Sequence, residues 1–165
     1  AFLSVITFSS SAQQVCPLTE LANFSEPQLN AGGSTSFGAA LGLLEQVMSK
    51  EVRKSTADQK GDFKPLIFIM TDGQPTDSWE AAADSIKQKR PGNIIACAAG
   101  PGADSNMLKR VTEVVVELNN LAPDTLKAFF KWVSSSIKTT SQSIQQSPNA
   151  PVNLPPPPPQ IQIVP

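Results

Sequence analysis

The sequence contains no histidine and no tyrosine among its 165 residues. Histidine is the side chain that most often transfers protons near neutral pH, and it is the commonest ligand of transition metals. Its absence removes the commonest acid–base catalyst and most transition-metal sites. The serines at positions 9–11 have no G-x-S-x-G sequence around them, so we interpret them as strand-end and turn residues.

Long apolar runs, excess basic charge and phosphate-binding motifs are also missing. No run of 18 apolar residues occurs, so no membrane-spanning segment is predicted. Thirteen basic residues stand against 14 acidic ones, which leaves none of the positive charge that nucleic-acid binding requires. Neither G-x-G-x-x-G nor G-x-x-x-x-G-K-[ST] is present, so a phosphate-cradling loop is unsupported.

Cysteine is scarce as well, with only Cys16 and Cys97 in the chain. The two are far apart in sequence and match no metal-ligand spacing and no C-x-x-C motif. We expect both to be buried thiols of a protein from a reducing compartment, rather than partners in a disulfide.

The most informative stretch that is present is LIFIMTDGQPTD, at residues 66–77. Five large apolar residues in a row are typical of a strand buried on both faces in a parallel α/β sheet. A carboxylate inside such a strand would be strongly desolvated, so Asp72 is predicted to emerge at its carboxyl end. Ligands bind at that edge of open α/β sheets, which makes Asp72 a candidate site residue.

Strand and helix patterns alternate along the rest of the chain, which favours a mostly parallel sheet covered by helices on both faces. The predicted strands, besides the one that begins at Leu66, cover residues 1–9, 13–18 (an edge strand), 93–99 and 113–118. Helices are predicted from residue 37 to about 52, after Asp77, around residues 107–111 and from 124 to 139.

Each predicted helix has a starting signal or an apolar face. Ser34, Thr35 and Ser36 are all competent N-caps for the first helix. Asp77 and Glu80 stand at capping-box spacing for the second helix. The inward face of the last helix is predicted to comprise Leu126, Phe129, Phe130, Val133 and Ile137.

The two ends of the sequence differ from its middle. Residues 1–9 already resemble a core strand, and we expect that the true N-terminus is missing. Residues 1–140 are predicted to form one domain, and residues 141–165 a tail without any charged residue. Five consecutive prolines at 155–159 favour polyproline II. We interpret this segment as a semi-rigid disordered tail, with a docking peptide for an aromatic groove as the alternative.

Two oxygen-bearing side chains remain as candidates for chemistry. Thr35 and Asp72 each lie at the junction between a loop and a regular element, and hard cations such as Mg²⁺ prefer hydroxyl and carboxylate oxygens. Each residue also has a purely structural interpretation. Thr35 can cap a helix, and Asp72 with Gly73 can form an ordinary turn.

The segments GGSTSFGAAL and IFIMTDGQPTD together resemble the von Willebrand factor A family. This resemblance implies a Rossmann-like α/β fold with a metal-ion-dependent adhesion site at the top of its sheet. Thr35 matches the family's helix-opening threonine, in the spacing T-x-x-G-x-A-L, and Asp72 matches its strand-ending aspartate. The family's D-x-S-x-S motif is absent, so we expect the first strand and helix to be missing. Mg²⁺ is then expected to bind only if those N-terminal ligands are supplied.

Several further segments resemble the TerY family of bacterial tellurium-resistance proteins within this group. They are LSVITFSSSAQQV, TDGQPTDSW, ACAAGPGAD, AFFKWVSSSIKTTSQ and LPPPPP. The resemblance implies a cytoplasmic, non-enzymatic module in tellurium resistance or stress response. Its partner is expected to be another protein, whose acidic side chain completes the metal shell.

An enzyme is the rival hypothesis, because a strand-end aspartate is also the nucleophile of haloacid dehalogenases and receiver domains. Haloacid dehalogenases place a second aspartate two residues further on, where this chain has Gln74. Receiver domains need an acidic pair and a lysine, and no such group is evident in the sequence. The binding module is therefore the favoured interpretation.

Overall fold

The structure, a computed structural model, describes residues 1–146 and 154–165 and divides into two compact units. The first unit comprises Ala1–Asp62 and Pro75–Pro91, and the second comprises Phe63–Gln74 and Gly92–Pro165. In chain order the elements are β1 (Phe2–Phe8), β2 (Ala12–Glu20), α1 (Phe37–Glu51), β3 (Leu66–Thr71), α2 (Glu80–Lys89), β4 (Asn93–Ala99), α3 (Ser105–Lys109), β5 (Val115–Leu118), α4 (Pro123–Gln146) and β6 (Ile161–Ile163).

The first unit is built from an antiparallel hairpin and two helices. Strands β1 and β2 pair with each other, and two register irregularities interrupt the ladder. Phe37 opens α1 and is fully buried, with its ring 6.0 Å from that of Phe8 and 6.1 Å from that of Trp79. These tilted aromatic contacts join the hairpin to both helices of the unit.

The second unit is a four-stranded sheet in the order β3-β4-β5-β6. Strands β3, β4 and β5 are parallel to one another, and β6 is antiparallel to β5. The predicted bounds of β3 and β4 are confirmed, and six of the seven residues of β4 are buried. The mostly parallel α/β character predicted from the sequence is confirmed.

The prediction that β3 is buried on both faces is wrong. Only Ile69 and Thr71 are buried, because β3 is the end strand of its sheet and β4 is its one hydrogen-bonded neighbour in the described chain. The strand at the start of the chain, β1, pairs with β2 in a two-stranded sheet of its own.

The buried face of α4 agrees with the predicted one for Leu126, Phe129 and Val133 and differs for the other two residues. Phe129 and Trp132 are buried as part of the hydrophobic core, whereas Phe130 and Ile137 are exposed, at 56% and 42%. Three further buried residues of the helix are polar: Thr125, Ser136 and Thr140. Ser136 Oγ donates to the Trp132 carbonyl oxygen, 2.8 Å away, within the helix itself, and Thr125 Oγ1 donates to Asn120 Oδ1 over 2.7 Å.

The interpretation of the C-terminal segment as a disordered tail is wrong for residues 154–165. These residues end in strand β6, and Ile161 is 3% exposed in the core of the second unit. Helix α4 continues through residue 140 to Gln146, so the predicted start of the tail falls inside a helix. Residues 147–153 of the predicted tail lie outside the described part of the chain.

Two smaller predictions concern the membrane and the cysteines. None of the helices in residues 1–146 and 154–165 has the length and apolarity to cross a bilayer. Cys16 and Cys97 are both buried free thiols, as predicted. Burial raises the pKa of the Cys97 thiol to about 12 from its ordinary value of 9.0, because the thiolate would lose its hydration.

Candidate functional site

The loop that precedes α1 is held against the end of β1. Gly33 has a φ of 91°, a left-handed conformation that side chains rarely adopt, and a Cβ there would lie 2.6 Å from Ser10 Oγ. The Ser34 amide donates to Ser10 Oγ over 3.3 Å, and the Ser36 amide donates to the Ser9 carbonyl oxygen over 2.8 Å. The turn that follows β1 therefore sets the path of the loop carrying Thr35.

Thr35 is fixed through its backbone by Thr76. The Thr35 amide donates to Thr76 Oγ1 over 3.1 Å, and the Thr76 amide donates back to the Thr35 carbonyl oxygen over 2.9 Å. This reciprocal pair leaves the hydroxyl of Thr35 outside the backbone pairing, on a half-buried residue. Sequence reasoning missed Thr76, since its partner is 41 positions away and no local pattern indicates such a contact.

Asp77 is the residue that caps α1. Its Oδ1 accepts from the Gly38 amide and its Oδ2 from the Ala39 amide, each over 2.9 Å. A carboxylate here satisfies two of the unpaired amides of the first helical turn and faces the positive end of the helix dipole. Ser36 occupies the N-cap position but makes no side-chain cap.

Two predictions about capping are corrected by this arrangement. Asp77 does not cap α2, whose N-cap position is Trp79 and has no side-chain capping hydrogen bond. The interpretation of Thr35 as the cap of α1 is also wrong, because Asp77 takes that role. The physical reason is that a carboxylate delivered from another loop can bind two amides at once, which one hydroxyl cannot do.

Asp77→Ala is expected to lower the free energy of unfolding by about 1–2 kcal/mol, since it leaves two amides of α1 unpaired. Asp77→Asn retains one oxygen acceptor and should lose roughly half as much. Urea unfolding followed by circular dichroism measures both variants. Equal stability of wild type and Asp77→Ala would contradict the capping role.

Asp72 lies in the second unit, immediately after β3, and is exposed. The hydroxyl of Thr71 donates to the Gly73 carbonyl oxygen over 3.2 Å and thereby closes the turn that carries Asp72. Gly102, in the loop after β4, approaches so closely that a Cβ on it would lie 2.7 Å from the Asp72 carbonyl oxygen. Asp72 thus stands where it was predicted, at the carboxyl end of a parallel strand.

A cavity of about 350 Å³ opens at the same end of strands β4 and β5. Asp72 is not among its lining residues, so the cavity adds nothing to the predicted ligand set. Its lining comprises Ala98, Gly100, Pro101, Ala103, Glu117, Leu118 and Asn119.

The predicted ligands have the oxygen atoms that a hard cation prefers, but two side chains are too few to hold it. Thr35 belongs to the first unit and Asp72 to the second, and each is described within its own unit. No cluster of three or more acidic, histidine or cysteine side chains suited to a metal occurs in the described ranges, 1–146 and 154–165. Mg²⁺ commonly takes one or two carboxylates and keeps several waters. One hydroxyl and one carboxylate meet that chemistry only with further ligands, and their joint role stays a prediction.

Comparison with known proteins identifies a family. The family model of the von Willebrand factor type A domain matches residues 2–130, a range that contains both Thr35 and Asp72. No curated protein and no solved structure matches the chain. The family match ends within α4, before the segment that forms β6.

Proposed function

The chain belongs to the von Willebrand factor type A family, and on that premise we propose that it is a non-enzymatic module that captures a partner protein through a divalent cation. Domains of this family act in protein interactions and commonly bind a divalent metal. One observation carries the proposal for this chain. Asp72 is an exposed carboxylate at the carboxyl end of a parallel strand, the edge at which α/β sheets bind ligands.

Asp72 and Thr35 are the residues that we assign to the cation, with Mg²⁺ as the metal that suits oxygen ligands. The bound cation would supply a positive charge that attracts an acidic side chain of the partner. The sequence has no D-x-S-x-S motif, so the remaining ligands must come from waters, from the partner or from protein outside this sequence. Asp77 is left out of the set because both of its oxygens are engaged by amides.

A cellular role in bacterial tellurium resistance or stress response, and a cytoplasmic location, are part of the same proposal. The support for the role is the resemblance of several segments to the TerY family. The two buried free thiols are compatible with a reducing compartment.

A titration with Mn²⁺ tests the metal assignment without knowledge of the partner. Paramagnetic Mn²⁺ broadens NMR signals of nearby amides, so amides next to Thr35 and next to Asp72 should broaden together. Asp72→Ala is expected to weaken this effect at least about tenfold, because it removes the one formal charge among the assigned ligands. Asp58→Ala is the matched control, since Asp58 is also exposed but lies outside the assigned set; it should leave the broadening unchanged.

Two results would contradict the proposal. Broadening that persists in Asp72→Ala would show that the cation is held elsewhere. Stable addition of one phosphoryl group to Asp72 on incubation with acetyl phosphate would instead indicate the phosphotransfer enzyme that the sequence left as its rival.

A further inference from the structure

We propose that the second unit contains a binding groove for proline-rich peptides, which the chain fills with its own C-terminal arm. The arm is defined as residues 154–165. The arm groove is defined as the indole of Trp132, the edge of β5 that pairs with β6, and Asn119. This inference is independent of the metal-dependent function, because neither Thr35 nor Asp72 takes part in the groove.

The indole of Trp132 makes the first specific contact with the arm. Trp132 is only 4% exposed, and its Nε1 donates to the Pro155 carbonyl oxygen over 2.9 Å. A buried indole N–H that lacks an acceptor is costly, so the arm satisfies a donor that the groove presents. Proline suits this position, because it offers a carbonyl acceptor and leaves no amide of its own to be paired.

Asn119 makes the second set of contacts, where the proline run ends. Its side-chain amide donates to the Pro159 carbonyl oxygen, and its backbone amide donates to the Gln160 carbonyl oxygen, each over 3.3 Å. A turn closed by the Ile161 amide on the Pro158 carbonyl oxygen then directs the arm along β5. The groove therefore donates hydrogen bonds to backbone carbonyl oxygens at both ends of the proline run.

Strand pairing and one apolar anchor complete the recognition. Residues Ile161, Gln162 and Ile163 pair antiparallel with β5, and the Val164 amide donates to the Val115 carbonyl oxygen over 2.9 Å. Ile161 is 3% exposed within the core cluster, whereas Gln162 and Ile163 are exposed. This is the strand-addition mode of peptide binding, in which the main chain gives affinity and alternate side chains give specificity.

These contacts define the chemistry of the ligand. It is an uncharged peptide with a leucine before a run of prolines, then a polar residue, then an isoleucine at the buried position. A proline run has little conformational entropy to lose on binding, which favours recognition of an extended segment. The family match ends at residue 130, so the arm lies beyond the matched range.

The test uses the full chain with the substitution Ile161→Asp, which places a charge at the buried anchor and releases the arm. A fluorescent peptide of residues 154–165 is then titrated and followed by anisotropy. The peptide should bind the Ile161→Asp variant at least about tenfold more tightly than it binds the wild type. In the wild type the attached arm occupies the groove at high effective concentration and competes with the peptide. The control peptide carries the same Ile161→Asp change and should not bind.

A second substitution tests the indole contact. Trp132→Phe, introduced together with Ile161→Asp, removes one hydrogen bond and should weaken peptide binding roughly 2- to 10-fold. If Ile161→Asp alone does not fold, the unmodified peptide should restore its helical circular dichroism and the control peptide should not. The proposal is overturned if the unmodified and the control peptide give the same result. It is also overturned if neither peptide binds the Ile161→Asp variant or restores its helical circular dichroism.

Discussion

Gly38→Ala is expected to lower the free energy of unfolding by about 1–3 kcal/mol, whereas Gly42→Ala on the same helix should raise it by about 0.5–1 kcal/mol. A Cβ on Gly38 would lie 2.4 Å from the Ser78 carbonyl oxygen and 2.8 Å from Trp79 Cα. Both of these atoms belong to the backbone, which cannot move aside as a flexible side chain could. A Cβ on Gly42 would meet no atom within 4 Å, so only the helix propensity of alanine counts there.

Urea unfolding of the two variants and the wild type, followed by circular dichroism, measures this contrast. The pair is matched because both substitutions add one methyl group to a glycine of α1, four residues apart. A loss of stability in both variants would mean that glycine is needed along the whole helix. No loss in either would mean that the close approach of residues 78–79 is not required for the fold.

The close approach at Gly38 gives a structural meaning to part of the family sequence pattern. Only a glycine allows the backbone at Ser78 to lie against the first turn of α1, and this approach brings the neighbouring Asp77 within reach of two amides. The glycine in T-x-x-G thus contributes to helix capping. A glycine at this position is therefore needed for the fold whether or not the chain binds a metal.

The parts of the fold that the sequence predicted well are those with one dominant local pattern. Strands β3 and β4 were predicted to the residue because each is an apolar run that ends at a Thr-Asp-Gly or Gly-Pro-Gly sequence. Burial of β3 was overestimated, since the run indicates an apolar strand but does not show how many neighbours it has. The number of neighbours is a property of the sheet rather than of the strand.

The buried face of α4 was predicted only in part, because the helical period alone does not show which apolar residues pack against the core. Leu126, Phe130, Val133 and Ile137 recur at spacings of four, three and four, yet Phe130 and Ile137 are exposed. Phe129, which was predicted to face inward, and Trp132, which was not, are both buried, and Trp132 gains a partner for its N–H in the arm. That partner lies 23 positions away, outside any window in which periodicity is read.

In the candidate site, too, features set by neighbouring residues were predicted and contacts with distant residues were not. The positions of Asp72 and Thr35 at loop junctions follow from local pattern, and the structure agrees with both. The contacts that hold the Thr35 loop, by Ser10 and Thr76, come from residues 24 and 41 positions away. Sequence reasoning could name the two candidate residues but not the residues that hold the Thr35 loop.

The last prediction concerns alkaline pH. Cys97 is expected to make the chain lose stability above about pH 9, because burial raises the pKa of its thiol to about 12 from an ordinary 9.0. Between these values the unfolded chain releases the thiol proton while the folded chain keeps it. The unfolded state then binds fewer protons, so stability falls as pH rises, by about 1.4 kcal/mol per unit. Below pH 9 both states hold the proton and the full stability is present.

Cys97→Ala isolates this effect, since it removes the thiol at a position whose neighbours in β4 are already alanines. Urea unfolding at pH 8 and pH 10 should show that wild type loses about 1 kcal/mol more than Cys97→Ala between the two pH values. Any cavity left by the substitution acts equally at both pH values and cancels in this difference. Cys16→Ala retains Cys97 and should retain the wild-type loss. An identical pH dependence in wild type and Cys97→Ala would show that the folded chain tolerates a Cys97 thiolate.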